Sequence, residues 1–153
     1  MGAASKAKAA VILLAEDDRG DQELTRRALE QGKIRNELRV VEDGEEALAY
    51  LYRRGKYKDP ATSPRPDLLL LDLNLPRVDG RQVLEKVRSD SRLRRMAVVV
   101  LTTSRQEEDV LRSYELGCNS FITKPGNMEQ FIQVIHALEE YWFRTVVLPP
   151  KME

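Results

Sequence analysis

Cysteine and histidine are nearly absent from this chain of 153 residues, which contains one of each. A single cysteine, Cys118, excludes an internal disulfide and favours a reducing, cytoplasmic environment. The single histidine, His136, has no second histidine or cysteine at ligand spacing, so we expect no zinc site. Long apolar runs are also missing, and the longest falls far short of the ~20 residues that a membrane helix needs. Lysine plus arginine and aspartate plus glutamate number 25 each, so bulk charge indicates neither a nucleic-acid surface nor a membrane surface.

Short apolar segments alternate with amphipathic segments five times along the chain. An unbroken apolar run predicts a strand covered on both faces, whereas apolar residues spaced three and four apart predict a helix. A helix follows each predicted strand, and these strands are residues 10–15, 37–42, 67–74, 96–102 and 120–124. Repeated strand–helix units form a parallel sheet with helices on both faces, an α/β fold of three layers. The first, third, fourth and fifth strands are the more apolar, so we expect them to be interior or well covered.

The length of the chain suits one domain with a complete core. Residues 1–8 are predicted to be a flexible tail, residues 9–143 the domain, and residues 144–153 an apolar C-terminal extension. Local capping rules predict that Asp21 caps the first helix and that Ser104 and Glu107 form a capping box on the fourth.

Polar groups end four of the five predicted strands. For the first, third, fourth and fifth strands these groups are Glu16-Asp17-Asp18, Asp72, Thr102-Thr103-Ser104 and Lys124-Pro125. The carboxyl ends of parallel strands lie at one edge of a sheet, so the groups should converge there. Converging carboxylates raise one another's pKa unless a positive charge neutralises them. Lys124 can supply one such charge, and a divalent cation with oxygen ligands, Mg²⁺ or Mn²⁺, can supply more. Each residue alone has an ordinary explanation as a cap or a turn, so the prediction depends on their joint occurrence.

Four motifs in this order, ILLAEDD, DLLLLDLNLPRVDG, VVVLTTS and FITKP, resemble those of receiver domains of two-component response regulators. The resemblance extends over roughly residues 10–143 of the printed sequence. It implies a flavodoxin-like, doubly wound sheet of five parallel strands in the order 2-1-3-4-5, with five helices. It also implies a signalling protein that accepts a phosphoryl group from a sensor histidine kinase and later loses it by hydrolysis.

The resemblance also implies which residues accept the phosphoryl group and hold the metal. Asp72 matches the phospho-accepting aspartate. Glu16 and Asp17 match the acidic pair that organises Mg²⁺ beside it, with Asp17 as the more direct ligand. The backbone carbonyl of Asn74 matches the remaining protein ligand.

Three further positions match those that recognise and report the phosphorylated state. Thr102 matches the hydroxyl that turns toward the phosphoryl group, and Lys124 matches the lysine that pairs with it. The Lys124–Pro125 peptide bond is expected to be cis, as in the family. Phe121 stands where many receivers have a tyrosine, so a ring switch at this position would offer no hydroxyl to partners.

A narrower resemblance concerns the insert RRGKYKDPATSPRPD, the double threonine in VVVLTTS and the extension EEYWFRTVVLP. Together they are similar to the small single-domain regulators of bacteriophytochrome kinases, which implies such a kinase as the partner. A regulator of another hybrid kinase is one alternative, and a receiver-like interaction module that works without phosphorylation is another. A haloacid-type phosphatase is disfavoured, because Asn74 stands where its second aspartate would be.

The apolar residues near the C-terminus allow two interpretations. They either fold back onto the core of their own chain or join the last helix in a homodimer interface, which the resemblance favours. The residues concerned are Trp142, Phe143, Val146, Val147 and Leu148. The signal is expected to leave by protein–protein contact, without nucleic acid or a membrane.

Overall fold

A parallel sheet of five strands forms the centre of the structure, a computed structural model that describes residues 9–150. The strand order is β2-β1-β3-β4-β5. The strands are β1 (Ala10–Ala15), β2 (Asn36–Val41), β3 (Leu68–Leu71), β4 (Ala97–Thr102) and β5 (Ser120–Thr123). The predicted fold class and strand order are therefore confirmed. The predicted flexible tail at residues 1–8 lies outside the described residues.

Five α-helices cover the two faces of the sheet. They are α1 (Arg19–Gln31), α2 (Gly44–Leu51), α3 (Gly80–Ser89), α4 (Glu107–Glu115) and α5 (Met128–Glu140). One apolar cluster joins the sheet to α1 and α5, and the other joins it to α2 and α3. A short turn of 3₁₀-helix at Gly55–Tyr57 lies within the insert before β3. Both faces of the sheet are thus covered, which explains why the strands of the sequence show no alternation.

Two of the predicted helix caps are wrong. Helix α1 begins at Arg19, and Asp18 is its cap: the Asp18 carboxylate accepts a hydrogen bond of 2.9 Å from the Asp21 amide. Helix α4 begins at Glu107 with no capping side chain, because the Ser104 hydroxyl lies before the cap position and donates to Asp109. In both places the side chain that a local rule assigns to a cap has another partner: Asp21 contacts Lys124, and Ser104 donates to Asp109 within the first turn of α4.

The strands differ in how deeply they are buried. Every residue of β3 and β4 is buried, and so is β1 beyond its first residue. All four residues of β5 are only half-buried, because β5 is the last strand of the sheet and has β4 as its one neighbour. The prediction that the fifth strand is interior or well covered is therefore wrong.

The C-terminal extension partly folds back. Trp142, Phe143 and Leu148 are partly buried against the cluster formed with α1 and α5. Val146 is half-buried, whereas Val147 is 98% exposed. Folding back therefore accounts for most of the apolar residues here, and a homodimer interface stays a prediction.

Within residues 9–150, the structure has no helix with the length and apolar character that crossing a membrane requires.

Candidate functional site

The register of the sheet brings the predicted residues together at the carboxyl ends of its strands. Ala15 at the end of β1 is paired with Leu71 at the end of β3, so Glu16 and Asp72 follow neighbouring strands at the same level. Thr102 is the last residue of β4 and is paired with Thr123 of β5, which Lys124 follows. The strand pattern alone therefore places four chemically active side chains at one edge of the sheet.

Asp72 is the centre of this group and is only 6% exposed. Its Oδ1 accepts hydrogen bonds from the Thr102 hydroxyl at 2.8 Å and from the Asn74 amide at 3.0 Å. Its Oδ2 accepts a hydrogen bond from the Lys124 ammonium group at 3.0 Å. A buried carboxylate requires such partners, since an isolated charge is costly to remove from water.

Lys124 contacts three carboxylates at once. Its ammonium nitrogen lies 2.5 Å from Glu16 Oε1, 2.8 Å from Asp21 Oδ2 and 3.0 Å from Asp72 Oδ2. Asp21 is a site residue that the sequence analysis missed, because its spacing indicated a helix cap. The actual cap is Asp18, which leaves the Asp21 side chain free to reach Lys124 from the first turn of α1.

The pKa values of Glu16 and Lys124 reflect this crowding. Burial raises the pKa of Glu16 to about 7, although the hydrogen bond and the charge of Lys124 act in the opposite direction. Burial alone would lower the pKa of Lys124, but hydrogen bonds to Asp21 and Glu16 and the charges of Asp72 and Glu16 raise it above its ordinary value. Both pKa shifts are explained by one ammonium group that faces several carboxylates. The site therefore favours the binding of further positive charge.

A cluster of carboxylate oxygens suits a hard cation. One oxygen from each of Glu16, Asp17 and Asp72 lies within 4.8 Å of the other two, and Asp17 is the exposed member. An all-oxygen donor set with an open side is what Mg²⁺ and Mn²⁺ accept, because these ions retain several waters. Asn74 is exposed beside this cluster, and its backbone amide donates to Asp72. Its backbone carbonyl stays a predicted ligand of the metal.

One prediction about the switch residues needs correction, and the other stays a prediction. The Lys124–Pro125 peptide bond is trans, which is the isomer that X–Pro bonds generally favour, so the predicted cis bond is wrong. Thr102 is expected to turn toward the phosphoryl group on phosphorylation, and this stays a prediction; in this structure its hydroxyl donates a hydrogen bond to Asp72. The side chain is fully buried, and a buried hydroxyl needs an acceptor.

Phe121 is half-buried and packs against the cluster formed with α2 and α3. Its backbone amide donates a hydrogen bond of 3.1 Å to the hydroxyl of Tyr114 on α4. The sequence analysis missed Tyr114. Tyr114 lies seven residues before Phe121 in the sequence. That spacing predicts no contact unless the packing of α4 against β5 is already known.

Comparison with known proteins identifies the family. Residues 12–136 match the response regulator receiver domain. The chain belongs to this family. The receiver is 45% identical over 139 residues to the response regulator Rcp1 of Synechocystis sp., covering 91% of this chain and 92% of Rcp1.

Two solved structures have the same architecture as this receiver. The phosphorylated cyanobacterial phytochrome response regulator RcpA is 45% identical, with a TM-score of 0.88 over 94% of this chain and 100% of that one. The Mn²⁺-bound form of Rcp1 is 44% identical, with a TM-score of 0.86 over 92% of this chain and 99% of that one. The predicted membership of the receiver family is therefore confirmed, and the chain is a two-component response regulator.

Proposed function

We propose that this receiver accepts a phosphoryl group on Asp72 from a phosphohistidine of a sensor histidine kinase and signals through the packing change that follows. The observation that carries the proposal is the setting of Asp72: a buried carboxylate at a strand end, with Thr102 and Lys124 on its two oxygens. An ion pair that served only to stabilise the fold would need neither the hydroxyl nor the extra carboxylates around the lysine.

The chain's own residues supply most of what the transfer needs. An oxygen of the Asp72 carboxylate attacks phosphorus, the new O–P bond forms as the N–P bond of the phosphohistidine breaks, and the electron pair of that bond stays on the imidazole nitrogen. Lys124 and Thr102 are placed to donate hydrogen bonds to oxygens of the transferred group, because both already donate to Asp72. The product is an acyl phosphate, which water later hydrolyses.

Glu16, Asp17 and Asp72 would hold the divalent cation, with the Asn74 carbonyl as a further ligand. Bound there, Mg²⁺ or Mn²⁺ would offset negative charge on the phosphoryl oxygens. Support comes from the oxygen donor set of this site and from the Mn²⁺-bound form of the relative Rcp1.

The partner we propose is a phytochrome-type histidine kinase. RcpA, which is described as a phytochrome response regulator, is 45% identical to this chain over nearly its whole length. The added charge of a phosphoryl group, about −1.5 to −2 near neutral pH, would then bias the packing of the β4–α4 loop, Phe121 and α4. A homodimer formed through α5 and the C-terminal extension is part of the same proposal, and exposed Val147 is available to it.

Labelling tests the acceptor directly. The protein is incubated with acetyl phosphate, with and without EDTA, and phosphorylated protein is measured on a phosphate-binding gel and as an acid-stable, base-labile adduct. We expect labelling of the wild type that requires the divalent cation and that disappears in Asp72→Asn. Asp67→Asn is the matched control, because Asp67 lies before the opposite end of β3 and accepts a hydrogen bond from the Val11 amide. Undiminished labelling of Asp72→Asn would remove the acceptor assignment.

Transfer from purified, phosphorylated kinases tests the partner. We expect faster transfer from a phytochrome-type kinase than from an unrelated histidine kinase under the same conditions. Equal rates would leave the acceptor chemistry in place and contradict the phytochrome partner.

A further inference from the structure

A charged group beside the site joins α3, the helix after the Asp72 segment, to α4, the helix after Thr102. The Arg81 guanidinium, on the first turn of α3, lies 2.6 Å from Asp109 Oδ1, on the first turn of α4. The other oxygen of Asp109 accepts a hydrogen bond of 2.5 Å from the Ser104 hydroxyl. Arg81, Asp109 and Ser104 are called the Arg81 clamp below. The phosphoryl chemistry proposed above uses none of the three residues.

At one end, the clamp is attached to the backbone at Asp72. The Gly80 amide donates a hydrogen bond of 2.9 Å to the Leu73 carbonyl. Gly80 packs so closely that a Cβ atom there would lie 2.2 Å from the Asp72 carbonyl oxygen. Arg81 is the next residue, so its main chain is fixed against the segment that carries the acceptor.

At the other end, the clamp holds the loop that follows Thr102. The Thr102 carbonyl accepts a hydrogen bond of 2.7 Å from the Lys124 amide, and the Ser104 carbonyl accepts one of 3.2 Å from the Thr123 hydroxyl. Through these bonds the main-chain carbonyls of the loop are held to the end of β5. The bond from the Ser104 hydroxyl to Asp109, and from there to Arg81, ties the same loop to α3 on the opposite side.

The electrostatics of the clamp favour an intact pair. The side chains of Arg81 and Asp109 are 28% and 20% exposed, so water screens the pair only in part. Hydrogen bonds from Ser104 and Arg81 lower the pKa of Asp109, which keeps its carboxylate charged across the ordinary range of pH. Arg81 also contacts Asp79, the cap of its own helix, at 3.1 Å, so its guanidinium is held at two points.

We propose that the Arg81 clamp positions Thr102: by fixing the β4–α4 loop against α3, it holds the Thr102 hydroxyl on the Asp72 carboxylate and so speeds phosphoryl transfer. Arg81 and Asp109 are positioning residues, which act through Thr102 and do not touch the transferred group. Placing a donor before the reaction lowers the cost of reorganisation during it. The consequence for rate depends on the proposed function, whereas the effect on the loop does not.

The decisive experiment compares Arg81→Met in the wild type and in a Thr102→Ala background. We expect the initial rate of labelling by acetyl phosphate to fall about three- to tenfold in the wild-type background, the range expected for one partly buried charge pair. In the Thr102→Ala background we expect Arg81→Met to change the initial labelling rate by less than about twofold, because the effects of substitutions that act through one group are not additive. The same slowing in both backgrounds would show that the clamp does not act through Thr102.

Two further variants guard against trivial explanations. Arg81→Lys keeps the positive charge and should label at a rate between those of the wild type and Arg81→Met. Thermal unfolding is measured for each variant, because a variant that fails to fold has no thermal transition. Arg92→Met is the matched control, because Arg92 also pairs with an aspartate, Asp90 at 3.8 Å, but precedes the amino end of β4. We expect it to label at the wild-type rate.

Hydrogen exchange tests the clamp without phosphorylation. The Lys124 amide, which donates to the Thr102 carbonyl, and the Asp109 amide, which donates to the Gln106 carbonyl, should exchange at least about threefold faster in Arg81→Met than in the wild type, because the loop has lost one of its two anchors. A wild type that takes no label would refute the proposed function, and the exchange result would then decide the clamp alone. Unchanged exchange would overturn the clamp, even in a protein that labels normally.

Discussion

The two sides of the sheet's carboxyl edge differ in burial and in how they use polar contacts. The site side, made of β1, β3 and β4 together with the Lys124 side chain, is buried nearly throughout and keeps its charged groups in direct contact with one another. The outer side, made of α4 and β5, is half-buried at β5 and has Ser113 as the one buried residue of α4. Polar contacts on the outer side are bonds between half-exposed groups, such as that between Tyr114 and the Phe121 amide.

The difference indicates where a structural change can occur. Breaking a contact on the site side leaves a buried charge without a partner, which is costly. Breaking a contact on the outer side exposes its groups to water that can replace the lost hydrogen bond. We therefore expect a charge added at Asp72 to be accommodated by movement of α4 and β5 and not by movement of β1 or β3.

The largest effect is expected when the positive charge of the site side is removed. Lys124→Met leaves the buried carboxylates of Glu16 and Asp72 without their ammonium partner, so the free energy of unfolding in metal-free buffer should fall by about 3–5 kcal/mol. Lys56→Met is the matched control, because the Lys56 side chain is 73% exposed and pairs with Glu46 at 3.2 Å. We expect it to change stability by less than about 1 kcal/mol. Urea unfolding measures both, and equal losses would contradict the comparison.

An intermediate effect is expected from pH, with opposite signs on the two sides. The folded-state pKa of Glu16 is raised from 4.5 to about 7, so Glu16 contributes stability below pH 4.5 that is lost as the pH rises to 7. Relative to Glu16→Gln, the wild type should lose roughly 3 kcal/mol across that window. The folded-state pKa of Asp109 is lowered from 3.8, so its contribution is present above that value and is lost as the pH falls below it.

The measurement is urea unfolding of the wild type, Glu16→Gln and Asp109→Asn in a chelating buffer at several pH values. The stability difference between the wild type and Glu16→Gln should shrink or reverse as the pH rises from about 4.5 to 7, and then stay constant. The difference in free energy of unfolding between the wild type and Asp109→Asn should shrink only below about pH 4. Two differences that change with pH in the same direction would show that the two carboxylates do not differ as the structure indicates.

The site side was largely predictable from the sequence, for a physical reason. Asp72 follows β3 and Thr102 ends β4, two strands whose apolar runs mark where they end, and Lys124 follows β5, which ends at the same edge of the sheet. Asp21 was not predictable in the same way. Its contact with Lys124 depends on the direction in which α1 leaves the sheet, which no residue spacing reveals.

The outer side was less predictable, because several local contacts of similar energy are open to its polar side chains and the packing of the helices decides which of them form. Ser104 satisfies a local rule for a capping box with Glu107, yet it donates to Asp109 in the folded chain. Arg81 and Asp109 are ordinary surface charges in the sequence, 28 residues apart, and only the packing of α3 beside α4 pairs them. The isomer of the Lys124–Pro125 bond was inferred from resemblance, and the structure has the other one.

The smallest effect is expected at the hydrogen bond between Tyr114 and the edge strand. Tyr114→Phe removes the hydroxyl that accepts from the Phe121 amide, but Tyr114 is 50% exposed and water can take its place. The free energy of unfolding should therefore change by less than about 1 kcal/mol. Exchange of the Phe121 amide is the sensitive measurement, and we expect it to rise about fivefold, the equivalent of one modest hydrogen bond. Tyr141→Phe is the control, because Tyr141 is similarly exposed at 52% but lies after α5, and it should leave that amide unchanged. An unchanged Phe121 amide in Tyr114→Phe would mean that α4 and β5 are coupled by apolar packing alone, and the outer side would then move without breaking a polar bond.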